Sequence, residues 1–189
     1  MRNLPALICI DIQNDYFPGG TMELADAETA ARNIRALQER FRERGLPVLH
    51  IAHEMIRPGA NFFLPGTEGQ RIHNLVFPRE GETVITKNYP NSFLQTPLLD
   101  SLRRLEATEL VITGMMLHMC VDATTRAAKD LGFSCSLIHD ATATRDLQFA
   151  GETVSARQVR TAFLAALSTI CDRIIDTGAI IAALTGAEG

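Results

Sequence analysis

The chain reads as an α/β protein in which helices wrap a parallel sheet, and three observations predict this. Segments with strand character alternate with segments with helix character from one end of the 189 residues to the other. The first strand-like segment is short and nearly continuously apolar, as suits a central strand. The helix-like segments carry apolar residues at spacings of three and four. A chain of 189 residues with 46% hydrophobic content is one domain, residues 1–189, able to bury a core without disulfide or metal support.

The elements follow in order. Residues 6–11 form the first strand, and residues 27–44 a helix with Ala30, Ile34, Leu37 and Phe41 on one face, stopped by Gly45. Residues 47–52, 83–87, 109–113, 134–139 and 173–176 supply the remaining strands. Thr96 can cap a helix over 97–105, with Pro97 at the first position, where its missing N–H costs nothing. Further helices are expected over 120–131, closed by Gly132, over 154–170, with Val159, Phe163, Ala166 and Ile170 on one face, and from Thr177 onward. Residues 54–81 differ: they hold three prolines and three glycines before the closing Gly81, with scattered aromatics and no sustained period. A loop of that length is expected to cover a site or join a subunit interface.

Bulk properties exclude several classes. The formal charge of −4 and the lack of a basic patch argue against a nucleic-acid partner. The N-terminal apolar run is short and interrupted by Asp11, unlike a signal peptide or a spanning helix, so the chain is expected to be cytoplasmic and off the membrane. Cys9, Cys120, Cys135 and Cys171 show no C-x-x-C pairing, which suits reduced thiols. Three of them, Cys9, Cys135 and Cys171, read as core.

Cys120 stands apart, because the apolar run Leu110-Val111-Ile112-Thr113 ends at Gly114 and gives way to a helical pattern. A thiol at a helix start meets unpaired N–H groups and the macrodipole, which favour thiolate. Ligands in open parallel sheets bind outside the carboxyl ends of strands. Asp11 closes the first strand, Lys87 the third, and Cys120 follows the fourth. A carboxylate can take the thiol proton, an ammonium can steady the charges, and a thiolate can attack a carbonyl.

Three motifs, DIQNDYF at 11–17, TKNYPNSF at 86–93 and VITGMMLHMCVDATTRAA at 111–128, together with DATATRDL at 140–147, closely resemble the isochorismatase-like cysteine hydrolases. That superfamily includes nicotinamidases and N-carbamoylsarcosine amidases. The resemblance implies a three-layer α/β/α fold with a six-stranded parallel sheet ordered 3-2-1-4-5-6, in a homodimer or homotetramer. It implies a catalytic triad of Asp11, Lys87 and Cys120, and a cis peptide bond at Met115-Met116. The same bond would aim the N–H of Met116, with that of Cys120, at a developing oxyanion. The reaction implied is C–N cleavage of a small amide, carbamoyl or ureido compound through a Cys120 thioester. Two other readings are a hydrolase of another small metabolite and an oligomeric binding protein that keeps the triad. Relatives that hydrolyse the vinyl ether of isochorismate lack the cysteine, so Cys120 argues against that substrate.

Remaining candidates are weighed beside these. Gln13, Phe17, His53, Phe62, Asn91 and Leu117 are candidate walls of a substrate pocket, with Phe63 and Phe93 as further aromatics. Leu117 and His118 stand where many relatives have Thr followed by Asp, Asn or Glu. Nicotinamidases hold a metal in the region where His50, His53 and His73 fall, yet the D-x-H pattern is absent and His50 and His53 would face opposite ways on a strand. No metal and no cofactor are therefore expected. Asp15 and Tyr16 are expected to fix the turn after the first strand. Arg145 can meet an anionic substrate group or, as the preferred reading, pair with Asp140 or Asp146.

Overall fold

The computed structural model describes residues 4–185. Six parallel strands form one sheet: β1 (Pro5–Ile10), β2 (Val48–His53), β3 (Thr83–Lys87), β4 (Glu109–Met115), β5 (Ser134–Ala143) and, last in the chain, β8 (Arg173–Ile175). Their order is β3-β2-β1-β4-β5-β8, the expected arrangement with β8 as the sixth sheet strand. Side-chain alternation along each strand builds two cores. Leu7, Cys9 and Val111 face α1 (Ala27–Glu43) and α5 (Thr177–Thr185), with Ile34, Leu37, Phe41 and Ile180 packed against them. Ala6, Ile8, Ile10, Leu110 and Ile112 face the other way, toward Leu98 and Leu102 of α2 (Leu98–Arg104), Ala128 of α3 (Asp122–Asp130) and Leu167 of α4 (Ala156–Leu167). The result is three layers.

Four local expectations need correction. A five-residue π turn, Leu117–Val121, precedes α3, so Cys120 lies in that turn and not at a helix start. The stretch before α4 forms a small antiparallel hairpin, β6 (Leu147–Phe149) with β7 (Glu152–Val154), turning through Ala150 at φ 51° and Gly151 at φ 84°. Its side chains are mostly exposed, so no buried face imprinted a period of two on the sequence. Helix α4 starts at Ala156 because Ser155 and Gln158 form a reciprocal capping box. Cys171 is partly exposed, whereas Cys9 and Cys135 are core residues as expected, and all four thiols are free.

Two contacts set the spacing around the strand ends. Gly114 lies at φ 126° against β1, and a Cβ there would stand 2.1 Å from the Ile10 carbonyl oxygen. Only glycine lets β4 approach β1 so closely. The long segment 54–81 folds back on the loop that follows β1: Asn14 and Asp15 donate backbone N–H bonds to Arg71 and Gly69, and the Asp15 carboxylate accepts from the Phe63 N–H at 2.6 Å. Among the described residues no helix is long and apolar enough to cross a membrane.

Candidate active site

Three neighbouring strands, β1, β2 and β3, end together, and β4 ends on the other side of β1. Asp11 leaves β1 in the left-handed region, φ 52°, which an aspartate tolerates better than a branched residue. His53 closes β2 opposite Lys87, which closes β3. Cys120 approaches from the π turn after β4. The ligating atoms of Asp11, His53 and Cys120 all lie within 4.8 Å of one another.

Lys87 is the hub. Its ammonium, fully buried, stands 2.7 Å from Asp11 Oδ2, donates to His53 Nδ1 at 2.9 Å and to the Tyr89 carbonyl at 3.2 Å. Cys120 is a further hydrogen-bond neighbour of the ammonium. His53 Nδ1 also lies 3.7 Å from Asp11 Oδ2 and 3.8 Å from Cys120 Sγ. Asp11 Oδ1 has no hydrogen-bond partner among the described residues.

The electrostatics follow from burial and pairing. Burial pushes the Asp11 carboxyl up, but the Lys87 ammonium outweighs it and holds its pKa below the usual range. Burial pulls Lys87 down, and the charge of Asp11 more than restores it, so its pKa is raised. Burial, reinforced by the Asp11 charge, pushes the Cys120 thiol above its usual value despite Lys87. This overturns the expectation that the helix dipole favours a resting thiolate: the sulfur sits in a π turn, nearly out of water, beside a carboxylate. The resting site is thus an Asp–Lys ion pair next to a neutral thiol.

A cavity of about 70 Å³ opens on the thiol. Met116, Met119, Pro90, Phe62 and Met55 give it apolar walls, while Tyr16, His53, Asn88 and Arg57 bring polar atoms. Of the expected pocket residues, His53 and Phe62 line it. Four lie elsewhere: Gln13 binds backbone, Phe17 stacks on His73 at 3.7 Å, Asn91 accepts from the Phe93 N–H at 2.9 Å, and Leu117 is buried in the core under α2 to α4. Phe63 packs behind Phe62 at 5.0 Å, and Phe93 against Phe133. The Met115-Met116 peptide bond is cis.

Several residues take roles the sequence did not disclose. Tyr16 faces the cavity, and its hydroxyl is raised well above the usual range by burial, with the Asp11 charge adding to it. Arg57, from the long segment, forms no ion pair among the described residues. Arg145 pairs with neither Asp140 nor Asp146: it points to the Met22 sulfur at 3.0 Å, while Asp140 accepts from Thr177 and Asp146 from the Ala156 N–H. His118 accepts or donates to Thr144 Oγ1 at 2.6 Å, outside the cavity.

The three histidines considered for a metal do not converge. His50 Nε2 bonds Glu82 at 2.9 Å and His73 accepts from the Leu75 N–H at 3.3 Å, so only His53 reaches the site. The Asp11, His53 and Cys120 atoms could in principle ligate, but the Lys87 ammonium already takes a cation's place 2.7 Å from the carboxylate. The donor set therefore fits a protonated amine better than a metal ion.

Comparison with known proteins agrees with this fold. The Isochorismatase domain model matches residues 5–171. The chain is 47% identical over 176 residues to the isochorismatase family protein YddQ of Bacillus subtilis, covering 93% of this chain and 98% of that one. It is 37% identical over 147 residues to a streptothricin hydrolase of Streptomyces noursei, covering 78% of this chain and 57% of that enzyme. A crystal structure from Oleispira antarctica, described among isochorismatase hydrolases, superposes with a TM-score of 0.92 at 46% identity, over 96% of this chain and 98% of the other.

Proposed function

Since the chain belongs to the isochorismatase domain family of hydrolases, we propose that it cleaves a C–N bond of a small amide, carbamoyl or ureido compound with Cys120 as nucleophile. The observation that carries this reading is the free Oδ1 of Asp11 in the same cluster as a neutral thiol. A buried carboxylate oxygen without a partner costs stability, and here it supplies a lone pair for the Cys120 proton.

Asp11 takes the proton from Sγ as the sulfur bonds to the substrate carbonyl carbon. Lys87 holds the net charge of the cluster steady during that transfer. The tetrahedral oxyanion receives the N–H groups of Met116 and Cys120, two donors that together stabilise it by several kcal/mol. Collapse breaks the C–N bond, and Asp11 returns its proton to the departing nitrogen. Water, deprotonated by Asp11, then attacks the thioester, and the released sulfur regains the proton. The cavity volume of about 70 Å³ restricts the acyl group to a few heavy atoms. Apolar walls suit a compact carbon body, and Arg57 at the wall suits an anionic group on the far end of the substrate. A cytoplasmic homodimer or homotetramer belongs to the same reading.

Ammonia release from a panel of small amides, carbamoyl compounds and ureido acids tests reaction and substrate class together. Intact-protein mass spectrometry of wild type and Cys120→Ser during turnover should detect an acyl adduct on the wild-type enzyme. Full turnover by Cys120→Ala would sink the covalent route.

A further inference from the structure

Outside the triad, three buried side-chain atoms lack a hydrogen-bond partner among the described residues, Gln38 Oε1, Arg40 Nε and His53 Nε2, and the last of them adjoins the site. His53 is 4% exposed, yet its Nε2 has no hydrogen-bond partner among the described residues. Its Nδ1 stands 2.9 Å from Lys87 Nζ. An ammonium has only donors, so Nδ1 must offer a lone pair and the ring proton must sit on Nε2. The tautomer is fixed by chemistry, not chosen.

The backbone of His53 is fixed with equal care. The Gln13 side chain accepts from the His53 N–H at 2.7 Å and donates to the His53 carbonyl at 2.9 Å. Gln13 itself is fully buried, and its Nε2 also donates to the Gln70 carbonyl at 2.6 Å. A strand end could satisfy its backbone with water or with a neighbouring strand. Here a side chain from the β1 loop holds both groups and sets the ring beside Lys87, Asp11 and Cys120.

From this we infer that His53 is a positioning residue of the proposed hydrolase: its Nδ1 holds the third direction of the Lys87 ammonium so that the charge stays between Asp11 and Cys120. Without that acceptor, Lys87 keeps Asp11, the Tyr89 carbonyl and Cys120. The ammonium can then swing toward Asp11 Oδ1 and occupy the lone pair that must receive the thiol proton. His53 therefore keeps the base free by giving the ammonium something else to bind. The inference rests on the hydrolase reading but concerns one atom of one ring.

Three substitutions separate its parts. In His53→Asn, the side-chain oxygen can replace Nδ1 as acceptor and the Nε2–H is lost. In His53→Gln, the terminal amide reaches the Nε2 position and the Nδ1 acceptor is lost. His53→Leu loses both and keeps an apolar volume. Each is compared with wild type by thermal melting, by steady-state kinetics on whichever panel substrate is turned over, and by the second-order rate of Cys120 alkylation with iodoacetamide followed by peptide mapping.

The expected result is a kcat about 100-fold lower in His53→Leu and His53→Gln with KM within about threefold, and a kcat within about tenfold of wild type in His53→Asn. Cys120 alkylation should fall in the same order. If Asn, Gln and Leu lose kcat equally, or if the losses track the fall in melting temperature, the ring is structural and the inference fails. If His53→Gln keeps activity while His53→Asn loses it, Nε2–H acts on the substrate and the positioning role also fails. A wild-type enzyme that turns over no panel member and carries no adduct overturns the hydrolase reading instead. In that event, alkylation of folded variants still decides the Lys87 contact: unchanged rates in His53→Leu would end it.

Discussion

The protein holds two buried clusters of acid, base and histidine, both touching β2, and only one is suited to chemistry. At one end, Asp11, Lys87 and His53 converge on Cys120. Elsewhere, Glu82 receives Arg42 from α1 at 2.6 and 2.9 Å, the Arg79 N–H at 2.9 Å and His50 Nε2 at 2.9 Å. The residue types nearly match. What differs is saturation: every oxygen of Glu82 is in use, whereas Asp11 keeps Oδ1 without a partner beside a thiol and a cavity. A complete network ties a helix to a sheet, and an incomplete one leaves a lone pair for a proton.

The contrast can be broken most decisively at the sulfur. Cys120→Ser should lower kcat by about 10⁴-fold, while the melting temperature moves by no more than about 2 °C, because a near-isosteric change disturbs no saturated bond. A large loss of melting temperature would make the two clusters alike after all. Glu82→Gln should do the reverse. Glu82 is pushed up by burial and pulled down to about 2 mainly by Arg42, so its ionisation stabilises the fold at neutral pH.

Its folded pKa lies below the unfolded value, so that contribution is present above pH ~4.5 and is lost as pH falls toward about 2. Melting from pH 7 to pH 2 should therefore show a steep acid loss in wild type and a shallower one in Glu82→Gln, with kcat unchanged at 25 °C. A parallel pair of curves would show that the network is idle.

The active cluster carries its own pH signature. The proposed mechanism requires Asp11 ionised and Lys87 protonated, the first with a lowered pKa and the second with a raised one. The profile of kcat should be flat across neutral pH, with its acid limb below the usual aspartate value of ~3.9 and its alkaline limb above ~10.4. An alkaline rise centred near pH 8 to 9 would mean that a free thiolate, and not proton transfer to Asp11, limits the rate. The smallest effect is expected at Arg57. Arg57→Gln should raise KM about tenfold for a carboxylate-bearing amide and leave its neutral isostere unchanged; equal change in both would remove the arginine from substrate binding.

Much of this was legible in the chain. Asp11 and Lys87 stand at strand ends and Cys120 follows another, so the pattern that announces the sheet also points to the site. The role of His53 was not legible, because it depends on the β2–β3 register that sets His53 opposite Lys87. Nor was the state of the thiol. MMLHMC fits a helical pattern as well as a π turn, and only the folded packing shows that burial outweighs any dipole at that sulfur. Gln13 looked like a pocket residue because it sits two positions from Asp11; its amide turns instead to the backbone of β2.

Gly114 carries a consequence of a different kind. Because a Cβ at that position would collide with the Ile10 carbonyl, the main chain itself helps to set the distance between the strand ends that lead to Asp11 and Cys120, and with it the length of the proposed proton path. An engineer can therefore exchange the cavity walls at Met55, Phe62, Pro90 or Met119 for new substrates while the proton's path stays the same length, and a single methyl group at residue 114 would lengthen it for every substrate at once.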